Sequence, residues 1–230
     1  MVNFVCPLDR LPLDKDLKCP RNHQFKFDDG VYDFLGYEPK NNDVLEKVAP
    51  LYEGVWAPLG FLITGRSSYS KMLKDAAHYA NAREFLDVGT GPGKIFDYVD
   101  CRECYGLDIS RKFLKILKAK RPNVISVRGD AKALPFPDES FSGVSSIFVI
   151  HMLDEPSKAL SEISRVLRRG GKCSIGVLTS RGSVANLLSK WWKLELKAES
   201  FYIGSLENLN LRIYGSSHMG PWTIFKCQKQ

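Results

Sequence analysis

Three carboxylates recur in one kind of setting along this chain. Asp87 closes the apolar run "EFLDV" and opens the turn "GTGPGK"; Asp108 follows "CYGL"; Asp130 ends "VISVRGD". A glycine-rich turn after an apolar run usually cradles a phosphate, but an acid at its mouth repels a phosphate and attracts a cation. The glycines Gly89, Gly91 and Gly93 are spaced G-x-G-x-G, and Lys94 stands where a dinucleotide fingerprint has its third glycine. The pattern asks for an adenosyl compound that is cationic and free of phosphate. S-adenosylmethionine meets both conditions: the glycines let the backbone approach its methionine part, and Asp87 faces its ammonium. Asp108, 19 positions after Gly89, lies where such folds hold a carboxylate to the ribose hydroxyls. Asp130, beside the backbone of Ala131, can accept from the exocyclic amine of adenine. One strand-end Asp is ordinarily a cap or turn residue; three on successive strands point to one ligand.

The elements that must position these acids follow from periodicity. From Glu84 onward, short apolar runs alternate with amphipathic helices. In "SRKFLKILKAK", Phe113, Ile116 and Leu117 recur at helical spacing with the lysines facing away. In "EPSKALSEISRVLRRGG", Pro156 opens a helix, Leu160, Ile163, Val166 and Leu167 form its buried stripe, and Gly170–Gly171 close it. This alternation predicts a doubly wound α/β domain on a mostly parallel sheet. The last stretch, "LRIYGSSHMGPWTIFKCQ", reads as two strands joined at Gly220–Pro221. Residues 1–38 differ in texture and form a small Cys/His module; 42–230 form the main domain, with helices at 42–81 and the core at 84–230.

Composition narrows the class further. The 230 residues are 44% apolar and 11% aromatic, enough for a packed core. No run approaches the ~20 apolar residues of a membrane helix, and "MVNFVCPLDR" lacks the features of a secretory signal, so the expectation is a cytoplasmic protein without integral membrane association. Six cysteines then read as free thiols or metal ligands before disulfides. Cys101 and Cys104, three apart on entering a strand, point to opposite faces and share no metal. The net charge of +7 gathers in "RKFLKILKAKRP" and "RVLRRGGK". Those runs admit either a polyanionic partner such as RNA or the solvated faces of helices.

"EFLDVGTGPGK", "YGLDIS", "VRGDAKALPFPDESFSGV" and "EISRVLRRGGKCSIGV" resemble the successive motifs of class I S-adenosylmethionine-dependent methyltransferases, in the type 11 branch with the ubiquinone/menaquinone-biosynthesis enzymes. The resemblance covers roughly residues 44–228. It implies a seven-stranded sheet and a cofactor site from Asp87, Val88, Gly89, Thr90, Gly91, Gly93, Asp108, Ile109, Asp130, Ala131, Ser146 and Ile147. "EKVAPLYEGVWAPLG" is similar to the branch's segment that folds over the cofactor, with Tyr52 and Trp56 as contacts or as core residues. His151, in "VIHML", is the candidate catalytic or positioning residue near the transferred methyl; Asp154 and Glu155 serve equally well as first-turn acids of a helix. Trp191 and Trp192 could stack a base or line an apolar pocket. The acceptor is either an RNA base or a small, lipid-like molecule. The contrasting reading is a binding protein that keeps the fold without turnover.

At the N-terminus, Cys6, Asp9, Cys19 and His23 follow C-x2-D…C-x3-H, a donor set near that of structural zinc. The stretch resembles the knuckle preceding the methyltransferase domain in the ribosomal RNA large-subunit guanine-N1 methyltransferases, which reads C-x2-C…C-x3-H. The resemblance implies zinc and RNA recognition. Asp9 departs from it, placing a hard oxygen where the family has soft sulfur and weakening the site. A knuckle held by packing alone is the other reading.

Overall fold

The computed structural model describes residues 3–36, 58, 59, 62, 64, 68–192 and 194–230. Among the described residues, nine strands form one sheet in the order β1-β2-β5-β4-β3-β6-β7-β9-β8. They are β1 (Lys26–Asp28), β2 (Val31–Asp33), β3 (Glu84–Val88), β4 (Glu103–Asp108), β5 (Ile125–Arg128), β6 (Phe141–Ile147), β7 (Leu167–Leu178), β8 (Leu211–Met219) and β9 (Trp222–Lys229). The run from β2 to β7 is parallel; β1, β8 and β9 are antiparallel to their neighbours. The chain runs outward from β3 through β4 to β5, then returns to place β6 on the other side of β3. That reversal opens a crevice at the carboxyl ends of β3 and β6, where ligands bind in such sheets.

The sheet takes this form because its central strands are buried on both faces, the signature of a strand covered by helices above and below. One face is covered by α1 (Tyr69–Ala80), whose Met72, Leu73, Ala76 and Ala77 pack with Phe85, Leu178 and Ile224. On α2 (Arg111–Lys120), Leu114 and Leu117 meet Val31 and Val124. Leu160 and Ile163 of α3 (Pro156–Val166) bury against the other face with Phe141 and Val144. Two further helices, α4 (Gly182–Trp192) and α5 (Glu199–Asn208), connect β7 to β8.

The seven expected strands are β3 to β9, and the N-terminal module adds two more. Its hairpin docks on the free edge of β5, with Val31, Tyr32 and Asp33 in register with Ser126, Val127 and Arg128. Sequence periodicity cannot see this pairing, because each added strand has only three residues. Nor is the module a detached appendage. Cys6, Cys19, Phe25 and Phe34 join the main core beside Tyr105 and Phe136, and the Phe4 ring lies 4.9 Å from Phe34 and 5.6 Å from Phe136.

This docking changes the meaning of the basic runs. On α2, Arg111 pairs with Asp28 and Asp33, Lys115 with Asp29, and Lys118 donates to the Asp29 carbonyl. Arg165 pairs with Glu162 and Asp138, and Arg168 with Glu84. Much of the basic excess therefore meets acids of this same chain.

Two expectations are corrected. Helix α3 ends at Val166, four residues before Gly170, and β7 begins at Leu167. There Lys229 Nζ donates to the Ser164 and Leu167 carbonyls, satisfying groups a helix end leaves open, while Leu167 takes register opposite Phe141. Cys101 and Cys104 form a disulfide rather than free thiols. Cys101 precedes β4, which starts at Glu103, so strand alternation does not govern it and the two Cα atoms come within 5.6 Å.

Candidate functional site

At the crevice, the turn after β3 lies against the turn after β4. Gly89 and Gly91 have φ of +74° and +54°, a region costly for residues with a Cβ. A Cβ on Gly89 would also stand 2.2 Å from a Val149 methyl. The Gly91 position faces open space, and its N–H donates to Asp108 Oδ2 at 2.7 Å. Asp108 Oδ1 accepts from the Ser110 N–H at 2.9 Å. Asp108 therefore fastens both turns while lining the cavity between them.

Asp87 is buried, with Ser145 donating from Oγ to Oδ1 at 2.6 Å. Desolvation pushes its pKa up to about 6; the Ser145 hydrogen bond opposes the rise and the nearby charge of Asp108 adds to it. The strain has a direction: a cation placed between these acids relieves it, and a phosphate aggravates it. Asp130 accepts from the Lys132 N–H at 2.8 Å, closing the turn after β5.

These groups open on a cavity of about 180 Å³. Of the residues anticipated from sequence, Asp87, Gly89, Thr90, Gly91, Asp108, Ile109, Asp130, Ala131 and Ile147 line it. Val88, Gly93 and Ser146 do not: Ser146 donates to the Val88 carbonyl behind the wall, and Gly93 turns the chain at φ +87° into a short 3-10 turn. Tyr52 and Trp56 lie outside the described residues, as do the side chains of Trp191 and Trp192. The lining also includes Tyr69, Leu73, Phe113, Phe148 and Met152, which sequence reasoning passed over. All are apolar or aromatic residues with helical or loop neighbours, and no spacing marks them as lining. Lys94, at the spoiled fingerprint position, lines the cavity with its ammonium 2.7 Å from Asp97.

His151 sits behind the lining. It is buried edge-on to Trp222, with ring centroids 5.6 Å apart, and its Nδ1 has no hydrogen-bond partner among the described residues. Burial pushes its pKa down to about 3, which keeps the ring neutral. Asp154 is exposed and pairs with Lys132 at 2.8 Å.

The four N-terminal donors converge. His23 Nδ1 is 3.4 Å from Cys6 Sγ, 3.3 Å from Cys19 Sγ and 3.2 Å from Asp9 Oδ2, and Cys19 Sγ is 3.5 Å from the same oxygen. A zinc tetrahedron with ordinary bond lengths has edges of about 3.2–3.8 Å, so the donor set and its spacing fit that metal.

The doubly wound sheet with an antiparallel final hairpin, an acid-flanked glycine turn and strand-end acids define a Rossmann-like methyltransferase fold. Residues 86–175, which carry the glycine turn and the three acids, match the family model described as a methyltransferase domain. The chain is similar to demethylmenaquinone methyltransferase of Renibacterium salmoninarum, 36% identical over 131 residues, covering 56% of this chain and 54% of that one. It is 34% identical over 129 residues to phosphatidylethanolamine N-methyltransferase of Cereibacter sphaeroides, covering 52% of this chain and 63% of that one. It thus spans little more than half the length of these relatives. Among solved structures it resembles a chain of a complex that contains the Haloferax volcanii Trm112 methyltransferase activator, with TM-score 0.67, 16% identity, and coverage of 82% of this chain and 98% of that one. It also resembles the cyclase SpnF, with TM-score 0.63, 17% identity, and coverage of 80% and 93%.

Proposed function

We propose that the protein is a methyltransferase that uses S-adenosylmethionine and acts on a small apolar acceptor. The likeness to a cyclase is a reminder that this fold hosts more than one chemistry, so the reading rests on the site. The observation that carries it is that Asp87, Asp108, Gly89 and Gly91 line one cavity at the carboxyl ends of β3 and β4, with burial and the nearby charge of Asp108 pushing the Asp87 pKa up to about 6.

Bound there, S-adenosylmethionine supplies an electrophilic methyl carbon whose transfer to an acceptor lone pair leaves a neutral thioether. Asp87 holds the ammonium, Asp108 the ribose hydroxyls, and Asp130 with Ala131 the adenine edge. The chain's contribution is mainly orientation and exclusion of water, which can be worth up to ~7–11 kcal/mol. Phe148, Val149, Met152 and Leu153 line one stretch of the cavity and supply an apolar approach for the acceptor. A buried neutral His151 supports the wall that positions this approach, by its packing on Trp222. A lipid-like acceptor is favoured over RNA because much of the basic excess of α2 and of the run from α3 into β7 is engaged by acids of this chain. The relatives' names point the same way.

For the N-terminal module we propose a structural zinc held by Cys6, Asp9, Cys19 and His23. The test of the main reading has two stages. S-adenosylmethionine and its demethylated product should each raise the melting temperature. Radiolabelled methyl should then pass to a component of a lipid extract and not to total RNA. Absence of any thermal shift favours a binding protein that keeps the fold without turnover.

A further inference from the structure

The N-terminal hairpin reaches the cofactor cavity without lining it, through one buried carboxylate. Asp33 ends β2, and both of its oxygens are engaged. Oδ1 accepts from the Leu35 N–H at 3.0 Å. Oδ2 accepts from Arg128 Nη1 at 3.0 Å and from Arg111 Nη2 at 2.5 Å. The Arg128 side chain is 3% exposed, and its Nε donates to the Ile109 carbonyl at 3.1 Å. Ile109 lines the cavity; Ser110, next to it, both caps α2 and donates its N–H to Asp108. Arg111 is the first residue of α2.

We propose that Asp33 is a positioning residue for the cofactor cavity, clamping the turn 108–111 through Arg128 and Arg111. The inference rests on reading the cavity as a cofactor site. Its physical basis is that one buried carboxylate oxygen ties both guanidinium groups to β2 while Arg128 holds the Ile109 carbonyl. With the Asp33 charge removed, Arg128 and Arg111 lose that shared tie, and the hold of Arg128 Nε on the Ile109 carbonyl loosens. The Asp108 carboxylate then loses the fixed geometry that lets it meet two ribose hydroxyls at once. A second bridge makes the module's role more than a single ion pair. The Val5 N–H donates to the Pro135 carbonyl at 3.1 Å, and Arg10 meets Glu162, which accepts from the Leu134 N–H at 2.8 Å. The loop after β5, which carries the adenine-side acid Asp130, is braced from the same module. The knuckle thereby becomes part of the cofactor site's frame, alongside any role toward an acceptor.

The decisive variant is Asp33→Asn, which keeps the shape and the Oδ1 acceptor but sets an amide against two guanidinium groups, donor to donor. Titration calorimetry with S-adenosylhomocysteine should show affinity weakened by about tenfold to a hundredfold, and Asp33→Glu should recover much of it. Hydrogen exchange on the ligand-free protein gives an independent reading. Amides of Ser110–Leu114 should exchange at least about tenfold faster in Asp33→Asn, while those of β7 and β9 keep wild-type rates. Unchanged exchange at 110–114, or loss of protection through the whole sheet, overturns the positioning role. If wild-type protein binds no S-adenosylhomocysteine, the cofactor reading falls, and the exchange experiment still decides whether Asp33 holds the turn.

Discussion

Replacing Asp87 by Asn separates what this residue does for the ligand from what it costs the fold. Its native pKa of about 6 lies above the unfolded value near 3.9, so between those values the native state binds the extra proton. Stability therefore falls as pH rises from about 4 to 6 and stays lower above that. Two pKa units correspond to about 3 kcal/mol. Asn accepts from Ser145 as Asp does, but an unpaired amide NH₂ would cost about 1 kcal/mol or more. The expected result is a ligand-free variant more stable than wild type by about 1–2 kcal/mol at pH 7, with the advantage gone near pH 4. Urea unfolding at half-unit steps from pH 4 to 8, run on both proteins, measures this difference directly. Calorimetry on the same samples should show S-adenosylmethionine bound about a hundredfold more weakly by the variant, ~3 kcal/mol. Wild-type affinity should itself rise with pH up to about 6. A stability difference that does not change with pH, or equal affinity for the cation, would refute the electrostatic argument on which the site reading stands.

Other perturbations test neighbouring parts. Gly91→Val, at φ +54° and facing the cavity, should abolish cofactor binding in calorimetry while the far-ultraviolet spectrum stays native. Asp108→Ala should cost more than the ~1 kcal/mol per lost ribose hydrogen bond, because the Gly91 and Ser110 N–H groups lose their acceptor too; an affinity change below threefold would reduce Asp108 to a turn residue. Glu162, 4% exposed and meeting Arg10, Arg165 and the Leu134 N–H, should lower stability by about 3–5 kcal/mol when changed to Ala, read by urea unfolding. For the knuckle, metal analysis of protein purified without chelator should give one zinc per chain, and Asp9→Cys should hold it more tightly against a competing chelator. Stoichiometry well below one removes the site.

The sequence by itself pointed to the scaffold and to a positively charged ligand. Strand–helix alternation from Glu84 onward admits few folds other than a doubly wound sheet. The acids Asp87, Asp108 and Asp130 sit at strand ends because local spacing puts them there. The convergence of Cys6, Asp9, Cys19 and His23 was also legible, since metal donors announce themselves by type. Local spacing could not reveal contacts made over long sequence distances. The pairing of β2 with β5, the compensation of Arg111 and Lys115 of α2 by Asp28, Asp29 and Asp33, and the withdrawal of His151 behind the cavity wall all depend on which surfaces meet. The Cys101–Cys104 bond depended on where β4 begins, a boundary that a two-residue shift reverses. Hydrophobic periodicity records which face of an element is buried; only the packed tertiary structure says what it is buried against, and here it set the N-terminal hairpin against β5 and the basic face of α2.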